Sequence, residues 1–196
     1  MIIGITGSIG SGKTSVAKIF SRHNYKIVDA DEISHHILRN NLLVKEKLIK
    51  NFGKEILDKN KNIDREELGN IVFKDKRKLK KLNSIMHPAI INKIKIRIKK
   101  IQKKYGDGTK IIIDAPLLLE TNAKKIVDNV IVVQAEIEKI TERNKKFSKD
   151  KIEKISEFQM PMYEKIKYAD FVVDNNGDLK HLEKQINEII TKIVNA

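Results

Sequence analysis

The sequence predicts an α/β fold built on a parallel sheet of five strands, and three observations carry that prediction. Five short apolar runs, residues 1–6, 25–30, 110–115, 129–134 and 171–174, are spread along the 196 residues. Most are continuously apolar and not alternating, which is the pattern of strands buried on both faces of a sheet. Helical periodicity fills the intervals, so strand and helix alternate with right-handed crossovers.

The first strand runs straight into Gly7-Ser8-Ile9-Gly10-Ser11-Gly12-Lys13-Thr14, which fits G-x-x-x-x-G-K-[ST] without a mismatch. This is a phosphate-binding loop. Polyphosphate is held by backbone N–H groups pointing inward, so side chains must be absent where the chain turns most tightly. The helix that follows adds its unpaired N–H donors and the positive end of its dipole. Lys13 would reach the β- and γ-phosphates of a nucleotide, and the Thr14 hydroxyl would ligate Mg²⁺. Gly10, Ser11, Gly12, Lys13, Thr14 and Ser15 are the candidate nucleotide-binding residues. The helix spans residues 14–23, with Val16, Ile19 and Phe20 on one face and Lys18 and Arg22 on the other.

After the second strand, residues 31–109 are too long for one crossover helix and predict a helical subdomain. Pro88 suits the first turn of a helix that runs to about Tyr105 and is closed by Gly106. Ile90, Ile94, Ile98, Ile101 and Tyr105 share its apolar face. Between the last two strands, residues 136–168 are mostly polar, which reads either as a solvated helical hairpin or as a lid over the phosphate loop. Asp178 is the expected N-cap of a last helix carrying Leu179, Leu182, Ile186, Ile189 and Ile193. The expected organisation is one domain, with a core of residues 1–30, 110–135 and 169–196, a helical insert 31–109 and a lid 136–168.

Composition narrows the function classes. The chain has no cysteine, so disulfides, thiolate metal sites and cysteine nucleophiles are excluded. No apolar stretch approaches the roughly 20 residues of a membrane-spanning helix, and the opening strand leaves no room for a leader; the expectation is a cytoplasmic protein. The net charge is +14. Residues 39–105 hold 21 Lys and Arg against 7 Asp and Glu, so this segment carries the whole excess. A Lys-rich coding bias, steering of a small polyanionic substrate and nucleic-acid binding all produce such an excess. Against nucleic acid, the segment offers only the scattered Phe52, Phe73 and Tyr105 for base stacking.

Ligands of open parallel sheets bind beyond the carboxyl ends of the strands. Asp29 and Asp31 close the second strand and Asp114 closes the third. Phosphoryl transfer needs metal ligation and a group that takes the proton of the attacking hydroxyl. Asp31 is the candidate base, and Asp29 or Asp114 the candidate for holding Mg²⁺ through water. Glu120 ends Pro116-Leu117-Leu118-Leu119-Glu120 and either contacts substrate or caps a helix. His87 either acts on substrate or caps and packs. His35 and His36 lack a third ligand at zinc spacing.

These segments resemble the dephospho-coenzyme A kinase family nearly end to end. Gly4 to Thr14 is similar to G-x-T-G-G-I-G-S-G-K-[ST], and Asp29-Ala30-Asp31 to its D-A-D. Asp64-Arg65, Leu68, Val72 and Phe73 resemble D-R-x-x-L-x-x-x-V-F. Leu82-Asn83, Ile85, His87-Pro88 and Ile90 resemble L-N-x-I-x-H-P-x-I, and Asp114 to Glu120 resembles D-x-P-L-L-x-E. Gln159, Lys165, Ala169-Asp170-Phe171-Val172, Asp174-Asn175 and Gly177 resemble Q…K…A-D-x-V-I-D-N-x-G. The resemblance implies a P-loop α/β core that transfers phosphate from ATP, with Mg²⁺, to the ribose 3′-hydroxyl of dephospho-coenzyme A. It implies that Lys13, Asp31 and Arg143 are catalytic and that Asp29, His87 and Glu120 bind the acceptor.

The chain departs from the family pattern in places. Ser8 stands where glycine is usual. Glu136, Ile137 and Lys139 replace most of Q-L-x-R before Arg143, Lys154 stands where arginine is frequent, and one extra residue lies between Asn144 and Ser148. Lysine is a point charge, whereas arginine grips phosphate through two N–H groups. The division of phosphate contacts among Lys139, Arg143, Lys154 and Lys165 therefore stays open. The alternatives are another nucleoside or nucleotide kinase of the same fold and a nucleic-acid-binding ATPase. A GTP-hydrolysing switch would need N-K-x-D, which is absent.

Overall fold

All five apolar runs form strands of one parallel sheet in the computed structural model, which describes residues 1–143 and 148–195. In chain order the elements are β1 (Ile2–Gly7), α1 (Lys13–Arg22), β2 (Lys26–Asp29), α2 (Ala30–Asn40), α3 (Leu42–Phe52), α4 (Arg65–Val72), α5 (Lys76–Tyr105) and β3 (Ile111–Asp114). Then come β4 (Asn129–Gln134), α6 (Ile137–Arg143), α7 (Lys149–Ser156), α8 (Met162–Lys167), β5 (Phe171–Asp174) and α9 (Leu179–Val194). The strand order is β2-β3-β1-β4-β5. Ile3 is in register with Ile112 on one side and Asn129 on the other, so β1 is paired along both edges.

The chain divides into two compact units. The first comprises Met1–Asp29 and the chain from Ile98 onward; the second is Ala30–Arg97. In the first unit, Ile3 and Ile5 of β1, Ile112 of β3, Ile131 and Val133 of β4 and Val173 of β5 form one face of the sheet. They pack with Val16, Ile19 and Phe20 of α1 and with Leu182, Ile186 and Ile189 of α9. Each of these large side chains contributes about 1.5–3 kcal/mol by leaving water. The other face of β1 carries Gly4, against which Leu118 and Val127 lie; a Cβ there would stand 2.4 Å from Leu118 Cδ2. Asp178 caps α9, accepting from the His181 N–H at 2.8 Å.

In the second unit, Ile33, Ile37, Val44, Leu48, Phe52, Ile56, Leu68, Val72, Met86 and Ile94 are buried. Asn41 caps α3 through the Val44 N–H, and Asp64 caps α4 through the N–H groups of Glu66 and Glu67.

The long helix α5 corrects one expectation. It begins at Lys76, 12 residues before Pro88, and passes through the proline. Its start is set by Asp75, whose carboxylate accepts from the Arg77 N–H at 2.7 Å and whose carbonyl accepts from the Leu79 N–H. Pro88 removes one internal hydrogen bond, and burial of Met86 and Ile94 on either side of it offsets that loss. The expected lid span 136–168 contains α6, α7 and α8, with Ile140 and Ile152 buried; residues 144–147, including Asn144 of the extra-residue comparison, lie outside the described residues. Among the described residues no helix is long and apolar enough to cross a membrane.

Candidate nucleotide-binding and active site

The phosphate loop leaves the centre of the sheet at the end of β1. Gly7, Gly10 and Gly12 all have positive φ, 149°, 73° and 93°. Two of them are also fixed by close approach. A Cβ at Gly7 would stand 2.1 Å from the Val133 carbonyl oxygen, and one at Gly12 would stand 2.1 Å from Asn175 Nδ2. Ser8 is not among the positive-φ residues. Its backbone is one that any L-residue adopts, which explains why serine stands at a position where glycine is usual.

Helix α1 starts at Lys13 directly behind Gly12. It has no side-chain cap and no acidic residue in its first turn, so its leading N–H groups and dipole serve the loop. Lys13 is 9 % exposed; its Nζ donates to the carbonyls of Ser8 at 2.8 Å and Gly7 at 3.2 Å, which holds the ammonium over the loop. Beside it, Thr14 Oγ1 donates to Asp114 Oδ2 at 3.4 Å. Asp114 is buried at the tip of β3, and Asp29 is its register partner at the tip of β2. Two carboxylates thus stand on adjacent strand ends, on the edge from which the loop springs. Asp31 is exposed in the first turn of α2, and His87 is half-buried within α5; both belong to the second unit.

Arg143 ends α6. Its Nη1 donates to the Asn175 carbonyl, and Nη2 donates to the carbonyls of Asn176 at 3.2 Å and Gly177 at 2.5 Å. Lys139 makes an exposed ion pair with Glu142 at 2.9 Å, and Lys154 is exposed on α7. Glu120 is not a helix cap. Its Oε1 accepts from Lys165 Nζ at 3.0 Å and from the Met160 N–H at 2.9 Å, while Oε2 is buried without a hydrogen-bond partner among the described residues. Lys165 Nζ also donates to the Pro116 carbonyl at 2.8 Å, which accepts from Thr6 Oγ1 as well. Among the described residues, no three His, Cys, Asp or Glu side chains converge as a metal site.

The structure thus brings Lys13, Thr14 and Asp114 together. Sequence reasoning leaves out Asn175, whose side chain reaches the loop: Nδ2 donates to the Ser11 carbonyl at 2.8 Å. The signal for it is the Asp174-Asn175 pair in the last block of the family resemblance.

Comparison with known proteins agrees with this arrangement. The family model described as Dephospho-CoA kinase matches residues 1–181. The dephospho-CoA kinase of Aquifex aeolicus is 41 % identical over 193 residues, covering 97 % of this chain and 96 % of that one. A crystal structure from Thermus thermophilus superposes with a TM-score of 0.80 at 27 % identity, covering 98 % of this chain and 97 % of that chain. The dephospho-CoA kinase structure from Campylobacter jejuni gives a TM-score of 0.70 at 29 % identity, covering 98 % and 96 %. With its phosphate loop on the central strand and these relatives matching over almost its full length, the chain belongs to the dephospho-CoA kinase family.

Proposed function

We propose that this chain phosphorylates the ribose 3′-hydroxyl of dephospho-coenzyme A with ATP, giving coenzyme A and ADP, the final step of coenzyme A synthesis. The observation that carries the reading is the loop itself: three positive-φ glycines, an uncapped helix N-terminus and a buried Lys13 in a chain of this family. In the reaction the 3′-oxygen attacks the γ-phosphorus, the bond from that phosphorus to the bridging β–γ oxygen breaks, and the hydroxyl proton passes to Asp31. Lys13, with the N–H groups of Gly10 to Ser15, holds the β- and γ-phosphates and spreads the charge that develops between them. Arg143, held on the carbonyls of Asn175, Asn176 and Gly177, is the other cation for that charge.

Thr14 Oγ1 and the Asp114 carboxylate are hard oxygen donors 3.4 Å apart, a set that fits Mg²⁺; Thr14 would hold the ion directly and Asp114 through water. Held there, the ion would neutralise charge on the nucleotide phosphates. Asp29, His87 and Glu120 bind the acceptor; the unpartnered Oε2 of Glu120 supports a hydrogen bond to it. The insert 31–109 shapes the acceptor site, and the segment 136–168 is the lid. A cytoplasmic location fits the substrates and the lack of cysteine.

A coupled ADP-release assay tests the reading. ADP formation with dephospho-coenzyme A as acceptor, and its absence with nucleoside monophosphates, is the expected result. Transfer to a nucleoside monophosphate but not to dephospho-coenzyme A overturns the choice of acceptor.

A further inference from the structure

Asn175 has a task that the mechanism above does not give it. The residue follows β5 and is buried, 8 % exposed. Its own backbone is fixed from two sides: its N–H donates to the Gln134 carbonyl at 2.9 Å, and its carbonyl accepts from Arg143 Nη1. From that rigid mount the side chain reaches back 164 positions in sequence, and Nδ2 donates to the Ser11 carbonyl at 2.8 Å. The same Nδ2 fills the space a Cβ of Gly12 would need. The contact is therefore both a hydrogen bond and a close steric fit.

The consequence follows from peptide geometry. The Ser11–Gly12 peptide is planar and trans, so its C=O and N–H point in opposite directions. Fixing the Ser11 carbonyl on Asn175 aims the Gly12 N–H the other way, away from Asn175. Gly12 has φ 93° and precedes α1, so nothing in regular helix bonding holds that peptide plane. Without the amide, the plane is free to rotate about the flexible glycine, and one donor of the phosphate cradle loses its direction. We propose that Asn175 is a positioning residue for nucleotide binding: its side-chain N–H donor sets the orientation of the Ser11–Gly12 peptide and so presents the Gly12 N–H to the nucleotide phosphates.

This inference rests on the loop being the ATP site, and the experiment separates the two. ATP binding to the full chain is measured by calorimetry, and KM for ATP and for dephospho-coenzyme A by ADP release, for the parent and for Asn175→Asp and Asn175→Ala. Aspartate keeps the shape but turns an acceptor, not a donor, toward the Ser11 carbonyl. The loss of one buried hydrogen bond to a directed group predicts about tenfold weaker ATP binding in both variants. KM for ATP should rise by about the same factor, with KM for dephospho-coenzyme A changing by less than about twofold. ATP affinity equal to the parent in folded Asn175→Ala overturns the inference, as does an equal rise in both KM values. If Asn175→Asp does not fold, Asn175→Ala decides alone by these two criteria. Failure of the parent chain to bind ATP overturns instead the assignment of the loop.

Discussion

The buried pair Lys165–Glu120 makes a stability prediction whose size follows from its surroundings. The Lys165 side chain is 1 % exposed and that of Glu120 19 %. Lys165→Met keeps most of the volume but deletes both the ion pair and the bond to Pro116. It leaves Glu120 with the Met160 N–H at one oxygen and nothing at the other. Stranding one partner of a buried pair costs about 3–5 kcal/mol. For a chain of this size each kcal/mol moves Tm by about 2–4 °C, so the variant should melt roughly 10 °C lower. Glu120→Gln strands the lysine and should cost a similar amount. The double variant Lys165→Met/Glu120→Gln strands neither charge. It should therefore lose at least about 2 kcal/mol less than the sum of the two singles. Urea denaturation of all four proteins measures this cycle. Single losses below about 1 kcal/mol that simply add would show that the pair is solvated in practice and that the burial argument is wrong.

The remaining predictions concern the site and α5. Lys13→Ala should lower kcat by at least about 10²–10³, because it removes a cation aimed at the transferring group; a loss below tenfold in single-turnover assays would refute that role. Asp31→Asn should lower kcat by about 10²–10⁴ and leave KM for ATP nearly unchanged, and a kcat near the parent's removes Asp31 from proton transfer. Thr14→Val should raise the Mg²⁺ concentration needed for half-maximal rate, while chelation of the metal abolishes turnover in the parent; an unchanged Mg²⁺ dependence rules out the hydroxyl as a ligand. Pro88→Ala restores an internal N–H to α5 and should stabilise the chain by up to about 3 kcal/mol, read from the urea midpoint; a destabilised variant would show that Pro88 sits in a backbone geometry that alanine does not support.

What the sequence reveals divides by the range of the interactions. The strands are legible because burial on both faces leaves continuous apolar runs, and the phosphate loop because its glycines answer to local backbone conformation. The Asp178 cap is legible for the same reason, since its partner lies three positions away. The start of α5 is misread because Pro88 is a strong local signal for a helix start, whereas the operative cap, Asp75, is an ordinary acid in a basic stretch. Glu120 and Asn175 mark the boundary. Each finds its partner 45 and 164 positions away, respectively, and nothing in the neighbouring residues announces Lys165 or Ser11. Arg143 is visible as the one arginine kept in its segment, but that it grips three carbonyls after β5 appears only when α6 and that turn are placed side by side.

The place of β1 in the sheet has a consequence for biosynthesis. Residues 2–7 leave the ribosome well before their partners on either edge, residues 111–114 and 129–133. The nascent strand must wait, unpaired and apolar, until both of those partners have emerged. Asn175 arrives later still. A cradle whose parts are so far apart in time closes slowly by the general cost of distant contacts. In a newly made molecule the ability to hold nucleotide should therefore be among the last properties gained.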